Sequence, residues 1–159
     1  MAIKEGDKVP SATLKEKTAD GIKDVKTDDL FAGRKVVLFG VPGAFTPTCS
    51  ARHLPGFVDK AAAIKAKADE IVCVAVNDAF VMEAWGSSAQ TDGKVRMLAD
   101  GNAEFTRKLG LDLDASGHGM GTRSQRFAMI VDDGKVSKLW VEKPGEFGVS
   151  SAESVLASL

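Results

Sequence analysis

Only two cysteines, Cys49 and Cys73, occur in 159 residues, too few for the disulfide framework of a small secreted scaffold. Histidine is as scarce. His53 and His118 complete the set, and with the two cysteines 24 positions apart they match no metal-ligand spacing. No apolar run approaches the ~20 residues that span a bilayer, and the opening MAIKEGDKVPSATLKEK lacks the apolar centre of a signal peptide. A surplus of one charge is missing too. The 21 basic and 22 acidic residues are interspersed and give a formal net charge of -1, which leaves no electrostatic footprint for nucleic acid or an anionic membrane. The chain is therefore expected to have no nucleic-acid partner, no membrane contact, no bound metal or cofactor, and a reducing, cytoplasmic setting, with an organelle left open.

What is present describes a globular domain. Hydrophobic residues make up 44% and charged residues 27%, enough to bury a core without disulfide or metal staples. No repeat, low-complexity tract or linker divides the chain, so residues 1–159 are expected to form a single domain. RKVVLFGVP is a short β-rich run ending at Pro42, and Val58–Glu70 has helical spacing. Ile71–Asp78 is a continuous β-branched run, the mark of a strand buried on both faces. AFVMEAWGSSAQ predicts a helix closing at or soon after Gly86, VRMLAD a short strand, and AEFTRKLGL a helix ended by Gly110. Two β-rich runs flanking DDG within Arg126–Glu142 predict a hairpin. SSAESVLASL predicts a closing helix capped by Ser150 or Ser151, with Glu153 completing a capping box. This order predicts an α/β fold: a mixed central sheet with helices on both faces, as in the thioredoxin-like class.

The chemistry concentrates in VPGAFTPTCSARHLPGF, Val41–Phe57. Thr46 suits an N-cap and Pro47 the first helical position, which puts Cys49 at the third. There backbone N–H groups lack intrahelical partners and the macrodipole favours negative charge. A free cysteine has a pKa of about 8.5, and such positions bring it to roughly 3.5–7.5. Pro55 cannot continue the ladder and should kink the helix. The alternative for Cys49 is an inert core thiol, yet its neighbours are polar, unlike those of Cys73 in IVCVAV.

Other chemistries fit poorly. Dithiol exchange needs C-x-x-C, and Thr46 stands at the partner position. His53 lies at i+4 from Cys49, a short step for a catalytic base; packing or a hydrogen bond suits it better. GHGMG, Gly117–Gly121, lacks the Lys-Ser/Thr of a phosphate loop. Single-thiolate attack on a peroxide remains, giving a sulfenic acid. Donors around both peroxide oxygens would lower its barrier. Thr46 can offer a hydroxyl, and Arg52, Arg123 and Arg126 are all candidates for a bridging guanidinium.

At these residues the sequence resembles the peroxiredoxins, specifically the peroxiredoxin five subfamily, also called plant type II. The P-x-x-x-T-x-x-C spacing from Pro42 to Cys49 carries the likeness, which continues through VNDAFVMEAWG, KVRMLADGNAEFTRKLGL, RSQRFAMIVDDGKV and VSSAESVL. The resemblance implies a thioredoxin-like fold and a peroxidase for hydrogen peroxide and alkyl hydroperoxides. It implies Cys49 as peroxidatic cysteine, Thr46 as the hydroxyl at thiolate and peroxide, Pro42 as the shield of the pocket, and Arg126 as the activating arginine. Ser150 and Ser151 stand where some relatives place a resolving cysteine. The resemblance therefore implies an external thiol, glutathione with glutaredoxin, or alternatively thioredoxin with Cys73 as resolving cysteine. A peroxide sensor that passes its oxidation to a partner is a further alternative. A homodimer is also implied, with Phe45 and Trp85 either as interface anchors or as core residues.

Overall fold

The computed structural model describes residues 2–159. A hairpin of β1 (Thr13–Thr18) and β2 (Gly21–Lys26) leads through α1 (Thr27–Phe31) to β3 (Lys35–Val41). Helical turns follow, including α2 (Leu54–Asp59) and α3 (Ala61–Lys65), then β4 (Glu70–Ala75), α4 (Ala79–Ser88), β5 (Arg96–Ala99) and α5 (Glu104–Leu109). A small ribbon of β6 (Asp112–Asp114) and β7 (Thr122–Ser124) precedes β8 (Phe127–Asp132), β9 (Lys135–Val141) and α6 (Ala152–Ala157). The main sheet has the order β2-β1-β5-β4-β3-β8-β9. Its middle strands β3, β4 and β5 are parallel, while β8 runs antiparallel to β3.

Alternation along the central strands builds two cores. Val37, Phe39, Ile71, Cys73 and Ala75 face α2, α3, α4 and α6, and pack with Phe57, Ile64, Met82, Trp85 and Val155. Val36, Leu38, Val72, Val74 and Leu98 face the other way, against Phe31 of α1 and Phe105 and Leu109 of α5. Each fully buried side chain of this size is worth roughly 1.5–3 kcal/mol, so both helical layers are held by apolar contact. The result is a thioredoxin-like α/β fold with a mixed sheet covered on both faces.

Local chemistry explains where elements stop. The expected strand Ile71–Asp78 ends at Ala75, because Asn77 and Asp78 turn their side chains to backbone N–H groups. Asp78 accepts from Val81 N at 2.8 Å and so caps α4. Gly86 does not end that helix, which runs on to Ser88; a Cβ there would meet Met97 Cγ and Thr91 Oγ1 at 2.8 Å, so the glycine serves close packing. The helix expected over Val58–Glu70 begins earlier, turns at Lys60 and stops at Lys65, and Glu70 already belongs to β4. The DDG hairpin forms as expected, with Asp133 and Gly134 at φ 48° and 80°. Of the two candidate caps of α6, Ser151 takes the role by accepting from Ser154 N at 3.2 Å.

Two features of the sheet aim the functional residues. The chain leaves the C-terminal end of β3 straight into Pro42. Alongside, the Phe127 ring lies over Gly40, its register partner, so closely that a Cβ at Gly40 would sit 2.1 Å from Cε1. That contact fixes the first residue of β8, and therefore the backbone of Arg126 just before it.

Candidate active site

The loop after β3 is tied down at Ala44, whose N–H donates to Asn77 Oδ1 at 3.0 Å. Phe45 then adopts φ 62°, a left-handed conformation that costs a bulky residue of order 1–3 kcal/mol. The turn delivers Thr46 and Pro47 to the start of the helical run, and Cys49 becomes its third residue. Ser50 N–H donates to Thr46 O at 2.9 Å. From Cys49 to His53 the backbone widens to a π-helical turn, in which Leu54 N–H reaches Cys49 O. The kink expected from Pro55 takes this form: the proline has no N–H to give, and the register loosens one turn before it. The Thr46 hydroxyl donates to Gly43 O at 2.7 Å. Its proton is thus used inside the loop, which leaves Oγ1 with acceptor capacity only in this arrangement.

Of the three candidate arginines, the structure brings Arg126 to the cysteine. Its Nη2 donates to Cys49 Sγ at 3.2 Å, across 77 positions of sequence. A guanidinium at this distance stands ready to meet negative charge at the sulfur during a reaction. Arg123 instead backs the loop: Nε donates to Met120 O at 2.9 Å, and a Cβ on Gly43 would meet Nη1 at 2.8 Å. Arg52 is exposed and lies over the Phe147 ring, 4.8 Å from its centroid.

His53 is fully buried, not at the helix surface. Nε2 lies 3.0 Å from Ser150 O. A carbonyl only accepts, so Nε2 carries the proton and Nδ1 is bare. Nδ1 in turn accepts from Arg126 Nη1 at 3.0 Å. Burial first, and then the Arg126 charge, push the His53 pKa down from 6.5 to about 3, against weaker upward pulls from Ser150 O and Glu142. The imidazole is neutral at working pH. With both nitrogens engaged it has no lone pair to act as a base on Sγ.

Ser150 is itself held by Glu142, whose Oε2 accepts from Ser150 N, Ser150 Oγ and Gly148 N, each at 2.7 Å. Burial pushes the Glu142 carboxyl up, yet the Gly148 and Ser150 donors outweigh it and leave the group below its ordinary range. Neither Glu142 nor Ser150 carries a local sequence signal for this role. They lie 89 and 97 positions from His53 in the chain (142 − 53 and 150 − 53), and only the fold brings them together.

A cavity of about 130 Å³ opens beside this cluster, lined by Pro42, Thr48, Leu113, Gln125, Arg126 and Glu142 among others. One water takes about 30 Å³, so a hydroperoxide with a short substituent fits. Neither this cavity nor a larger cleft of about 670 Å³, bounded by Glu16, Lys65, Glu70 and Arg96, has a cysteine or histidine in its lining; the smaller one adjoins Cys49 through Arg126 and through Thr48, its chain neighbour. Among the described residues no group of three or more His, Cys, Asp or Glu is placed to hold a metal.

The remaining expected residues divide. Trp85 is core: it is buried, and its Nε1 donates to Ser50 Oγ at 3.0 Å, tying α4 to the cysteine turn. Phe45 is 54% exposed. Cys73 is a free thiol buried in β4. Burial, and then the neighbouring Cys49, push its thiol well above the ordinary value, with Arg126 pulling the other way.

Comparison with known proteins places the chain in a family. Residues 4–156 match the Redoxin family. The chain is 50% identical to Peroxiredoxin-2B of Arabidopsis thaliana, over 99% of this chain and 98% of that one. It is 53% identical to the chloroplastic Peroxiredoxin-2E-2 of Oryza sativa subsp. japonica, covering 99% of this chain and 72% of the relative. Among solved structures, reduced Prx3 from Vibrio vulnificus in complex with hydrogen peroxide superposes with a TM-score of 0.95, at 53% identity and 98% coverage of both chains. The chain belongs to the Redoxin family and, within it, to the five-type (plant type II) peroxiredoxins.

Proposed function

We propose that this thiol peroxidase works through Cys49, with Arg126, Thr46 and Pro42 completing the site. The observation that carries the assignment is the guanidinium of Arg126 donating to Sγ at 3.2 Å, at the third residue of a helical run. Sγ attacks the nearer peroxide oxygen, the O–O bond breaks, and the departing oxygen leaves as hydroxide or alkoxide and takes up a proton. Cys49 becomes a sulfenic acid. Arg126 stabilises negative charge as it passes from sulfur to the leaving oxygen. Thr46 Oγ1, its own proton committed to Gly43 O, accepts from a peroxide O–H and orients it. Pro42, on the cavity wall, presents an apolar surface without an N–H that would draw in water.

Hydrogen peroxide and small alkyl hydroperoxides fit the cavity, and a relative of 53% identity is known in complex with hydrogen peroxide. Recycling is assigned to an external thiol. Ser150 and Ser151 stand where some relatives have a resolving cysteine, Ser151 capping α6, and Cys73 is sealed in β4. Glutathione attacks the sulfenic acid, releases water and leaves a mixed disulfide on Cys49; a second thiol, from glutathione or glutaredoxin, frees the cysteine. A homodimer is supported by Phe45 and Phe80, 54% and 62% exposed, which offer apolar anchors near the site. Two free thiols suit a reducing compartment such as the cytoplasm.

Steady-state peroxide consumption, with glutathione and glutaredoxin compared against thioredoxin, tests this reading. Turnover with the glutathione system that survives Cys73→Ser supports it. Turnover with thioredoxin alone, abolished by Cys73→Ser, would overturn the external-thiol assignment.

A further inference from the structure

Peroxide attack at Cys49 calls for no protein base in contact with sulfur, yet a histidine is buried one helical step away. His53 is enclosed by Phe39, Phe57 and Phe147, with ring centroids 5.0, 5.6 and 5.0 Å away. Its two nitrogens point to opposite partners, Ser150 O and Arg126 Nη1, each at 3.0 Å. A continuous string of hydrogen bonds therefore runs from Glu142 through Ser150 and His53 to Arg126 and Cys49.

The identity of the acceptor on Arg126 matters. An arginine in a site is commonly fixed by a carboxylate, which also neutralises it. Among the described residues no carboxylate lies within ion-pair distance of Arg126. Its Nη1 is held by an uncharged imidazole nitrogen instead, which supplies direction without cancelling charge. The full positive charge stays available to sulfur and peroxide through Nη2. Glu142, the acidic group of the string, spends its carboxylate on Gly148 and Ser150 and makes no side-chain bond to Arg126.

We propose that His53 is a positioning residue: its bare Nδ1, set by the Nε2–H bond to Ser150 O, holds the Arg126 guanidinium on Cys49 Sγ without neutralising it. This rests on the assignment of Cys49 as peroxidatic nucleophile. The charged groups acting on the ring are Arg126 and Glu142.

The test compares wild type, His53→Phe, His53→Gln, Arg126→Met and the double variant His53→Phe/Arg126→Met. Readouts are the single-turnover rate with hydrogen peroxide across pH and the thiolate absorbance near 240 nm. Phenylalanine keeps the ring and removes both nitrogens; glutamine retains one acceptor and one donor. His53→Phe is expected to slow peroxide reaction at pH 7 about tenfold or more and to move the half-maximal pH of the rate upward by about one unit. His53→Gln should recover most of the rate. In the Arg126→Met background His53→Phe should cause no further loss, because the histidine acts only through that arginine. A His53→Phe protein with the wild-type rate and pH midpoint overturns the proposal, as does an equal loss in both backgrounds. If His53→Phe does not fold, His53→Leu takes its place with the same readouts: a slowed rate and raised midpoint that vanish in the Arg126→Met background support the proposal, and a wild-type rate and midpoint overturn it. Failure of the peroxidase assignment itself would show differently, as wild-type protein that does not react.

Discussion

Cys49 and Cys73 are equally inaccessible: both are fully buried and both belong to the same core beneath α2 and α4. Their surroundings differ in what can meet a negative sulfur. Cys49 sits three residues into a helical run, on a turn loosened to π geometry, with Arg126 Nη2 at 3.2 Å. Cys73 sits in mid-strand between Val72 and Val74, opposite Phe39 on β3 and Met97 on β5. Its thiol is pushed up by burial and by Cys49. Burial alone therefore does not separate Cys73 from the cysteine proposed as nucleophile. The difference lies in donors fixed around the sulfur, and in a cavity lined by Pro42, Thr48 and Arg126 beside one and not the other.

The sharpest way to break the comparison is to exchange the sulfurs one at a time. Cys49→Ser should lower peroxide reduction by at least about 10³-fold, measured as consumption with glutathione and glutaredoxin, since a hydroxyl at that place is no nucleophile. Arg126→Met, which removes the charge and leaves a comparable stem, should cost about 10²–10³-fold in the single-turnover rate, the usual toll for a lost donor at a developing charge.

The surroundings of Cys49 should also be felt in stability. Unfolded, His53 titrates near its ordinary 6.5; folded, it does so at about 3. Below pH 6.5 the unfolded chain takes up a proton that the folded one refuses. Stability is therefore fully present above pH 6.5 and is lost as the pH falls toward 3. The slope from this residue is at most about 1.4 kcal/mol per pH unit. Urea unfolding between pH 6.5 and 5.5, above the range in which Glu142 titrates, should show the slope in wild type and a shallower one in His53→Gln. Smallest of all is the expected effect of Cys73→Ala: a peroxide rate within about threefold of wild type and a loss of about 1 kcal/mol from the small void.

Much of this was legible in the sequence, for local reasons. Thr46 and Pro47 announce a helix start, and Cys49 follows at the third position because the spacing is fixed by the helix itself. Asp133 and Gly134 announce their hairpin equally well. The hairpin of β1 and β2 gives little pattern, because β1 buries only Leu14 fully and β2 is mostly exposed, so neither offers apolar alternation; the Asp20-Gly21 pair is its one turn signal. The network behind the cysteine was legible only in part. Arg126 could be ranked above Arg52 and Arg123 by family likeness, not by its own neighbours. The burial of His53 follows from Phe39, Phe57 and Phe147, which arrive from three separate segments. Long-range hydrogen bonds of this kind leave no periodicity to read.

The most direct test of the central contrast is site-resolved oxidation. Reduced protein would be exposed at pH 7 to less than one equivalent of hydrogen peroxide, trapped with a sulfenic-acid reagent, and mapped by mass spectrometry. Label confined to Cys49, formed far faster than on free cysteine, is the predicted result. Label shared with Cys73, or formed at the rate of an ordinary thiol, would contradict the claim that fixed donors and not burial decide which sulfur reacts.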